Sequence, residues 1–294
     1  MKQLLEPDLP QYRKLVAELR EWLAVLGYAE SSVREIPRRA EEFLAFLEIN
    51  GVEEIASIQK ENLQDFLFFL QTRENYRRTG KLSQSHINKY IQSLKLLSKY
   101  VRQTGQGIFT LKAPMLKRVE TQRKALSKSE VRQLYQACSN SLMGHRDRAM
   151  LSLAYGCGLR RNELENLWVE DVLEERKLIF VRKGKNYKQR YVPMHEQVLK
   201  DITKYVSITR TYWIKGDYNE LFISSYGPPL SSQSLAKRLE QLAKKTGIDK
   251  PVSLHVLRHS IATHLLNSGM NIHQISKFLG HTSLESTQIY THLS

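Results

Sequence analysis

The sequence predicts a mainly α-helical protein with a small antiparallel β-sheet in its second half, an α+β arrangement spread over two domains. Three observations carry this expectation. Apolar residues recur at three-and-four spacing through the first hundred residues and again from Leu230 onward. Two short β-type runs, Leu178–Val181 and Tyr191–Met194, flank the polar segment Arg182–Arg190, which is the pattern of a hairpin. The length of 294 residues suffices for two cores at about 100–200 residues per domain. Hydrophobic content of 41% beside 26% charged is ordinary for a globular protein and argues against a largely disordered chain.

In chain order, helices are predicted over Tyr12–Leu26, Ser32–Leu47, Lys60–Leu70 and Gln84–Val101, with Ser31-Ser32 and Ser83 as N-caps. They form a four-helix bundle, residues 1–110, that closes near Gly105-Gln106-Gly107. Residues 111–126 read as an extended basic linker, because Lys112 to Lys124 holds Pro114, three Lys and two Arg without an apolar period. The second domain, 127–294, opens on Ser127 with Glu130 three residues later, a capping box. Helices follow over 128–138 and 144–156, then the hairpin, a short strand at Leu221–Ser224 and a turn at Gly227-Pro228-Pro229. Helical periodicity returns over 231–246, 254–268, 271–278 and 283–290.

The formal net charge is +15, and its distribution says more than its size. Residues 1–72 carry 8 basic and 13 acidic side chains, whereas 73–132 carry 15 basic and 3 acidic. Ile87, Tyr90, Ile91, Leu94, Leu97 and Tyr100 keep helical spacing inside that basic block, so it is folded rather than a tail. Concentrated positive charge on a folded element fits a nucleic-acid backbone. No apolar run is long enough for a transmembrane helix or a signal peptide, so no membrane partner and a cytoplasmic location are expected. Two cysteines, Cys138 and Cys157, are too few for a disulfide framework.

Five of the nine histidines fall between 255 and 281, and His255, His259 and His264 mimic metal-ligand spacing. Yet no Asp or Glu lies between Lys250 and Leu284, while Arg258 and Lys277 sit within the cluster, so no metal is expected there. His255 and Arg258, three apart on a helix, share a face that suits an anion; His259 and His264 pack or cap. Gly158-Leu159-Arg160 places a glycine beside an arginine at a helix start, where backbone and guanidinium approach a bound group, or where a surface arginine merely flanks a cap. The hairpin segment Arg182–Arg190 holds five cations and no acid. Lysines at hairpins also discourage edge-to-edge aggregation, but five cations exceed that need. Tyr290 follows Leu279-Gly280-His281 by nine residues; a free phenol titrates near 10 and needs cations or a base to become a nucleophile.

Taken together these motifs resemble the tyrosine recombinase (phage-integrase) family, over essentially all of Ser127 to Tyr290 and less specifically over the helical N-terminal half. The family's Gly-Leu-Arg-x-x-Glu-Leu motif is matched by Arg160, Glu163 and Leu164. The hairpin motif is matched by Gly184, Lys185, Lys188 and Arg190, and His-x-Leu-Arg-His by His255, Leu257, Arg258 and His259. Leu-Gly-His and the final tyrosine are matched at His281 and Tyr290. The resemblance implies that Tyr290 attacks a DNA phosphodiester to give a 3′-phosphotyrosyl intermediate, with Arg160 and Arg258 on the non-bridging oxygens. It implies Lys185 as general acid toward the 5′-oxygen, with Lys183 two residues away as the other register, His255 as general base and His281 as a phosphate donor. Glu163 would support Arg160. Two arginines and a lysine supply the charge, so no metal or nucleotide cofactor is implied.

The N-terminal half resembles the family's SAM-like core-binding domain, a helical clamp over DNA. Backbone contacts are expected from Lys89, Lys95 and Lys99, from Arg182, Lys183, Lys188 and Arg190, and from Lys237, Arg238, Lys244 and Lys245, the last four on a helix that fits a groove or forms a solvated basic face. The implied partner is a double-stranded DNA recombination site bound by a homo-tetramer on synapsed DNA, with or without a second recombinase. The implied function is site-specific recombination, as an integrase or Xer-like resolvase. The alternatives are type IB topoisomerase-like relaxation and a catalytically silent DNA-binding protein. Four residues follow Tyr290, where many members continue into a helix that docks on a neighbouring subunit.

Overall fold

Apolar side chains at helical spacing bury one face of each of four N-terminal helices, α1 (Pro10–Val25), α2 (Glu30–Ile49), α3 (Lys60–Thr72) and α4 (Gln84–Gln103). The computed structural model describes residues 5–76, 79–109, 115–116, 124–182 and 189–280. The chain forms two units, Met1–Thr121 and Gln122–Ser294.

In the first unit Pro10 occupies the first turn of α1, where its missing N–H costs nothing. Ser83 caps α4 by accepting a hydrogen bond from the His86 N–H. The expected cap at Ser31-Ser32 is corrected: α2 starts at Glu30 with Ala29 as its N-cap, and both serines lie in its first turn. Tyr12, Leu19, Phe43, Leu47, Phe66, Leu70, Ile91 and Leu94 make the core, with the Phe43 and Phe66 rings edge to face at 5.0 Å. One charge is buried among them. Glu42 is fully enclosed and meets Arg73 Nη2 at 2.8 Å, and the Tyr90 hydroxyl donates to it. Burial, reinforced by Glu42, pushes the Tyr90 phenol well above its ordinary range. Met115 and Leu116, from the expected linker, are described; Leu116 exchanges two hydrogen bonds with the Asn88 side chain on α4, at 2.8 and 2.9 Å. The rest of 110–123 lies outside the described residues.

The second unit begins with the Ser127–Glu130 capping box on α5 (Lys128–Gln136). α6 (Leu142–Leu151) widens into a π-turn over Ser152–Gly156 and leads to the short α7 (Arg161–Glu165). Strands β1 (Val172–Leu173), β2 (Leu178–Val181) and β3 (Arg190–Pro193) form one antiparallel sheet in that order. Ile179 pairs with Val192 and Val181 with Arg190, and the apolar members of both pairs are buried. α8 (Glu196–Lys204) runs through a second π-turn, Tyr205–Arg210, into α9 (Thr211–Trp213). α10 (Ser232–Lys244), α11 (Leu254–Asn267) and α12 (Ile272–Leu279) follow.

Leu221–Ser224 is not a strand, which corrects that expectation. Its β-pairing is limited to isolated bridges, Trp168 with Glu220 and Ile223 with Pro229, around the buried Leu221, Phe222 and Ile223. The helix expected at 283–290 lies outside the described residues. The fold is thus mainly helical with a small antiparallel sheet. Among the described residues no helix is long and apolar enough to cross a membrane.

Replacing Arg73 with Leu is expected to lower the unfolding free energy by about 3–5 kcal/mol, because Glu42 is left charged and dry. Denaturant titration checks this, and adding Glu42→Gln to the same chain is expected to recover part of the loss.

Candidate active site

Arg160 is the N-cap of α7, and the third residue of that helix folds back on it: the Arg160 backbone N–H donates to Glu163 Oε2 at 2.8 Å and its Nη1 to Oε1 at 2.8 Å. Glu163 is only 2% exposed, so its oxygens have no water to turn to and must be satisfied by the chain. Arg190, from β3, satisfies both at once through Nη1 at 2.8 Å and Nη2 at 2.9 Å, a two-pronged pairing. Arg258 Nη1, from α11, stands 4.0 Å from Oε2. Three guanidinium groups therefore surround one buried carboxylate.

The outer ends of two of these arginines meet on one stretch of backbone. Arg258, 6% exposed, donates through Nη1 to the Gly158 carbonyl and through Nη2 to the Leu279 carbonyl, both at 2.5 Å. Arg160, 25% exposed, donates through Nη2 to the Gly280 carbonyl at 2.7 Å. Leu279 ends α12 and Gly280 is its left-handed C-cap, φ 63°, so the arginines take the last carbonyls at the negative end of that helix. Gly158, φ 59°, must also be glycine: a Cβ there would lie 2.6 Å from Leu279 Cδ2.

Burial alone would raise the Glu163 carboxyl. The hydrogen bonds and charge of Arg190, then the backbone and side-chain hydrogen bonds of Arg160, outweigh it and bring the group down from its ordinary 4.5 to about 2. A depressed carboxyl stabilises the fold above its unfolded value and loses that contribution as pH falls toward its folded value.

Of the sequence-predicted catalytic residues, the structure brings Arg160 and Arg258 together beside Glu163. His255 lies in the first turn of α11, exposed and three residues before Arg258. Lys185, His281 and Tyr290, with the expected contacts Lys183 and Lys188, lie outside the described residues. His264 packs as expected, its Nδ1 2.8 Å from the Tyr155 hydroxyl. Among the described residues there is no cluster of His, Cys, Asp or Glu able to hold a metal.

The expected DNA contacts divide by where their charge is spent. Lys89, Lys95 and Lys99 are exposed on α4, Lys237 and Lys244 on α10, where Lys244 also meets the exposed Glu240 at 3.1 Å, and Lys245 at the C-cap of that helix. Three arginines instead turn to the chain's own carboxylates. Arg182 donates to Asp171 at 2.6 Å and also pairs with Glu170, its guanidinium 4.3 Å over the Trp168 ring. Arg238 grips both oxygens of Asp147, at 2.8 and 2.6 Å. Arg190 is on Glu163. The cause is common to all three: Asp171, Asp147 and Glu163 are buried carboxylates that require a counter-charge. The inward direction of Arg190 was available in the sequence, since it is in phase with the apolar Val192 on a strand of period two.

Residues 124–294 match the phage integrase family. The chain is 33% identical over 284 residues to tyrosine recombinase XerC 2 of Ralstonia nicotianae, covering 93% of this chain and 80% of that protein. It is 30% identical over 285 residues to tyrosine recombinase XerD of Corynebacterium glutamicum, covering 94% and 93%. Among solved structures it is similar to XerA recombinase, with TM-score 0.54 and 28% identity over 96% of this chain and 94% of that one. XerH site-specific recombinase bound to difH substrate shares the fold, with TM-score 0.73 and 20% identity over 100% and 95%.

The family match and these relatives define an enzyme that cleaves and rejoins DNA strands. The chain belongs to the phage integrase family, the tyrosine recombinases, and its function is site-specific DNA recombination. Neither DNA relaxation nor a silent binding role finds support among these relatives.

Glu163→Gln is expected to cost about 3–5 kcal/mol at neutral pH, because three guanidinium groups lose their shared counter-charge. The gap between wild type and variant is expected to narrow as pH falls from about 4.5 toward 2, as thermal melts across that range would show. A gap constant across the range contradicts the assignment.

Proposed function

We propose that six residues carry the strand-transfer reaction: Arg160, Lys185, His255, Arg258, His281 and Tyr290. The observation that carries this reading is the convergence of Arg160 and Arg258, from separate elements, on the two consecutive carbonyls of Leu279 and Gly280 directly before His281. Two guanidinium groups aimed at neighbouring oxygens are suited to the non-bridging oxygens of a phosphodiester, whose charge grows in the transition state.

In the proposed step the Tyr290 oxygen forms a bond to phosphorus as the bond from phosphorus to the 5′-oxygen breaks. His255 takes the phenolic proton, Lys185 gives a proton to the leaving 5′-oxygen, and His281 donates a hydrogen bond to the phosphate. The 3′-phosphotyrosyl bond conserves the energy for rejoining when another 5′-hydroxyl attacks, so the step draws on no metal and no nucleotide.

The same reading assigns residues 1–110 to a DNA clamp, 111–126 to its linker and 127–294 to catalysis. Its partner is a double-stranded recombination site. XerH, similar in fold, is bound to its difH substrate. Lys89, Lys95 and Lys99 on α4, Lys237 and Lys244 on α10 and Lys245 at its C-cap are the proposed backbone contacts, since all six are exposed. A homo-tetramer on two synapsed sites, alone or with a second recombinase, acting as an integrase or Xer-like resolvase in a cytoplasmic setting, completes the proposal.

Covalent trapping tests it. The wild-type chain selects its site from randomised duplexes, and that site is rebuilt as a nicked suicide duplex and incubated in EDTA without ATP. A denaturing gel is expected to show a protein–DNA adduct with wild type and none with Tyr290→Phe, while Arg258→Ala slows its formation by about 10²–10³-fold. An adduct that persists in Tyr290→Phe removes that residue as the nucleophile.

A further inference from the structure

We propose that Arg190 is a positioning residue of this reaction, fixing Glu163 and through it the guanidinium of Arg160, and supplying the charge that prevents the carboxylate from cancelling the site. The proposal rests on the reading of Arg160 as a ligand of the scissile phosphate.

Arg190 pairs across the sheet with Val181, which is buried, and directly opposed residues on antiparallel strands point to the same face. Its side chain therefore runs under the sheet and is 12% exposed. There it holds Glu163 Oε1 and Oε2 together, the same two oxygens that receive the Arg160 Nη1 and backbone N–H. Its stem lies against Gly280: a Cβ at that glycine would come within 2.8 Å of Arg190 Cδ and Nε. Its Nε is buried and finds no acceptor among the described residues, so the fork is seated on Glu163 at the expense of the third donor.

The charge count gives this geometry its consequence. Arg160, Arg190 and Arg258 around one carboxylate leave two positive charges in excess. Without Arg190 the excess is one, and Glu163 loses the fork that fixes both of its oxygens. A phosphodiester that gains negative charge as it is attacked should register both changes. A methylphosphonate, in which a methyl replaces one non-bridging oxygen and removes the ground-state charge, should register them far less.

The test compares single-turnover cleavage of two nicked duplexes that differ only in a phosphate or methylphosphonate at the scissile position. Arg190→Ala is expected to slow the phosphate duplex about 10²-fold and to stay within about 5-fold of wild type on the methylphosphonate. Arg190→Lys, which keeps a cation on Glu163 but loses the fork, is expected to fall between, and it serves where Arg190→Ala melts below the assay temperature. Equal slowing on both duplexes overturns the proposal, since that is loss of structural support. A salt slope of binding reduced by about 1 also overturns it, since Arg190 would then be a phosphate contact. Arg160→Ala is run in parallel. If the methylphosphonate does not relieve it, the phosphate-ligand reading fails and the proposal falls with it. Relief of Arg160→Ala beside an unrelieved Arg190→Ala overturns the positioning role alone.

Discussion

A carboxylate with no access to water must be surrounded by donors, and Glu163 gathers the catalytic unit around that requirement. α7 supplies it a backbone N–H and one guanidinium, β3 a second, and α11 a third at the margin of contact. At 4 Å and an effective dielectric near 20, each charge pair is worth about 4 kcal/mol in either direction. Attraction to Glu163 and repulsion among the arginines are thus of similar size, and directed hydrogen bonds decide the arrangement. Remove the carboxylate and only neutral carbonyls, those of Gly158, Leu279 and Gly280, remain to hold like charges together in a low-dielectric site.

The backbone makes the approach possible. The π-turn at the end of α6 carries Cys157 N to the Ser152 carbonyl and Leu159 N to the Leu153 carbonyl, both at 3.2 Å, so the chain leaves the helix later and wider than an α-turn would release it. Gly158 then turns left-handed, which places Leu159 in the core and Arg160 at its rim. Gly280 makes the matching turn at the end of α12, where it meets Arg190. Two glycines in left-handed conformations are the points at which α12 comes close enough for its last carbonyls to reach the arginines.

Much of this was legible in the sequence where one period governs a segment. α4 announced itself through Ile87, Tyr90, Ile91, Leu94 and Leu97 with Ser83 as its cap, and α5 through Ser127 and Glu130. The helical run from Glu196 to Trp213 escaped, because a π-turn shifts its phase and the buried face includes Asp201 and Thr209, which hydropathy counts as outward. Leu221–Ser224 read as a strand because burial and β propensity agree there, but a strand also needs a partner of matching length. At the site, spacing put His255 and Arg258 on one helix face suited to an anion, whereas Arg160 and its support from Glu163 were implied only by the resemblance to the family. Strand phase pointed Arg190 inward, but nothing local could reveal that Arg238 is committed to a buried carboxylate, since Asp147 lies far off in sequence.

That division of the cations gives the protein two electrostatic systems of different range. The exposed lysines of α4 and α10 act through solvent, where at physiological salt charge is screened over about 8 Å, so their effect is long-range attraction that weakens as salt rises. The arginines around Glu163 act in a nearly dry site, where screening is slight and orientation is fixed by hydrogen bonds of 2.5–2.9 Å. A polyanion can therefore be attracted by the first system without being activated by the second. On the proposed assignment strand transfer draws on the second, because donors already set in place stabilise charge as it forms without reorganising. Burying Glu163, at the cost of desolvating a carboxylate, is how this fold keeps that set of donors rigid before DNA arrives.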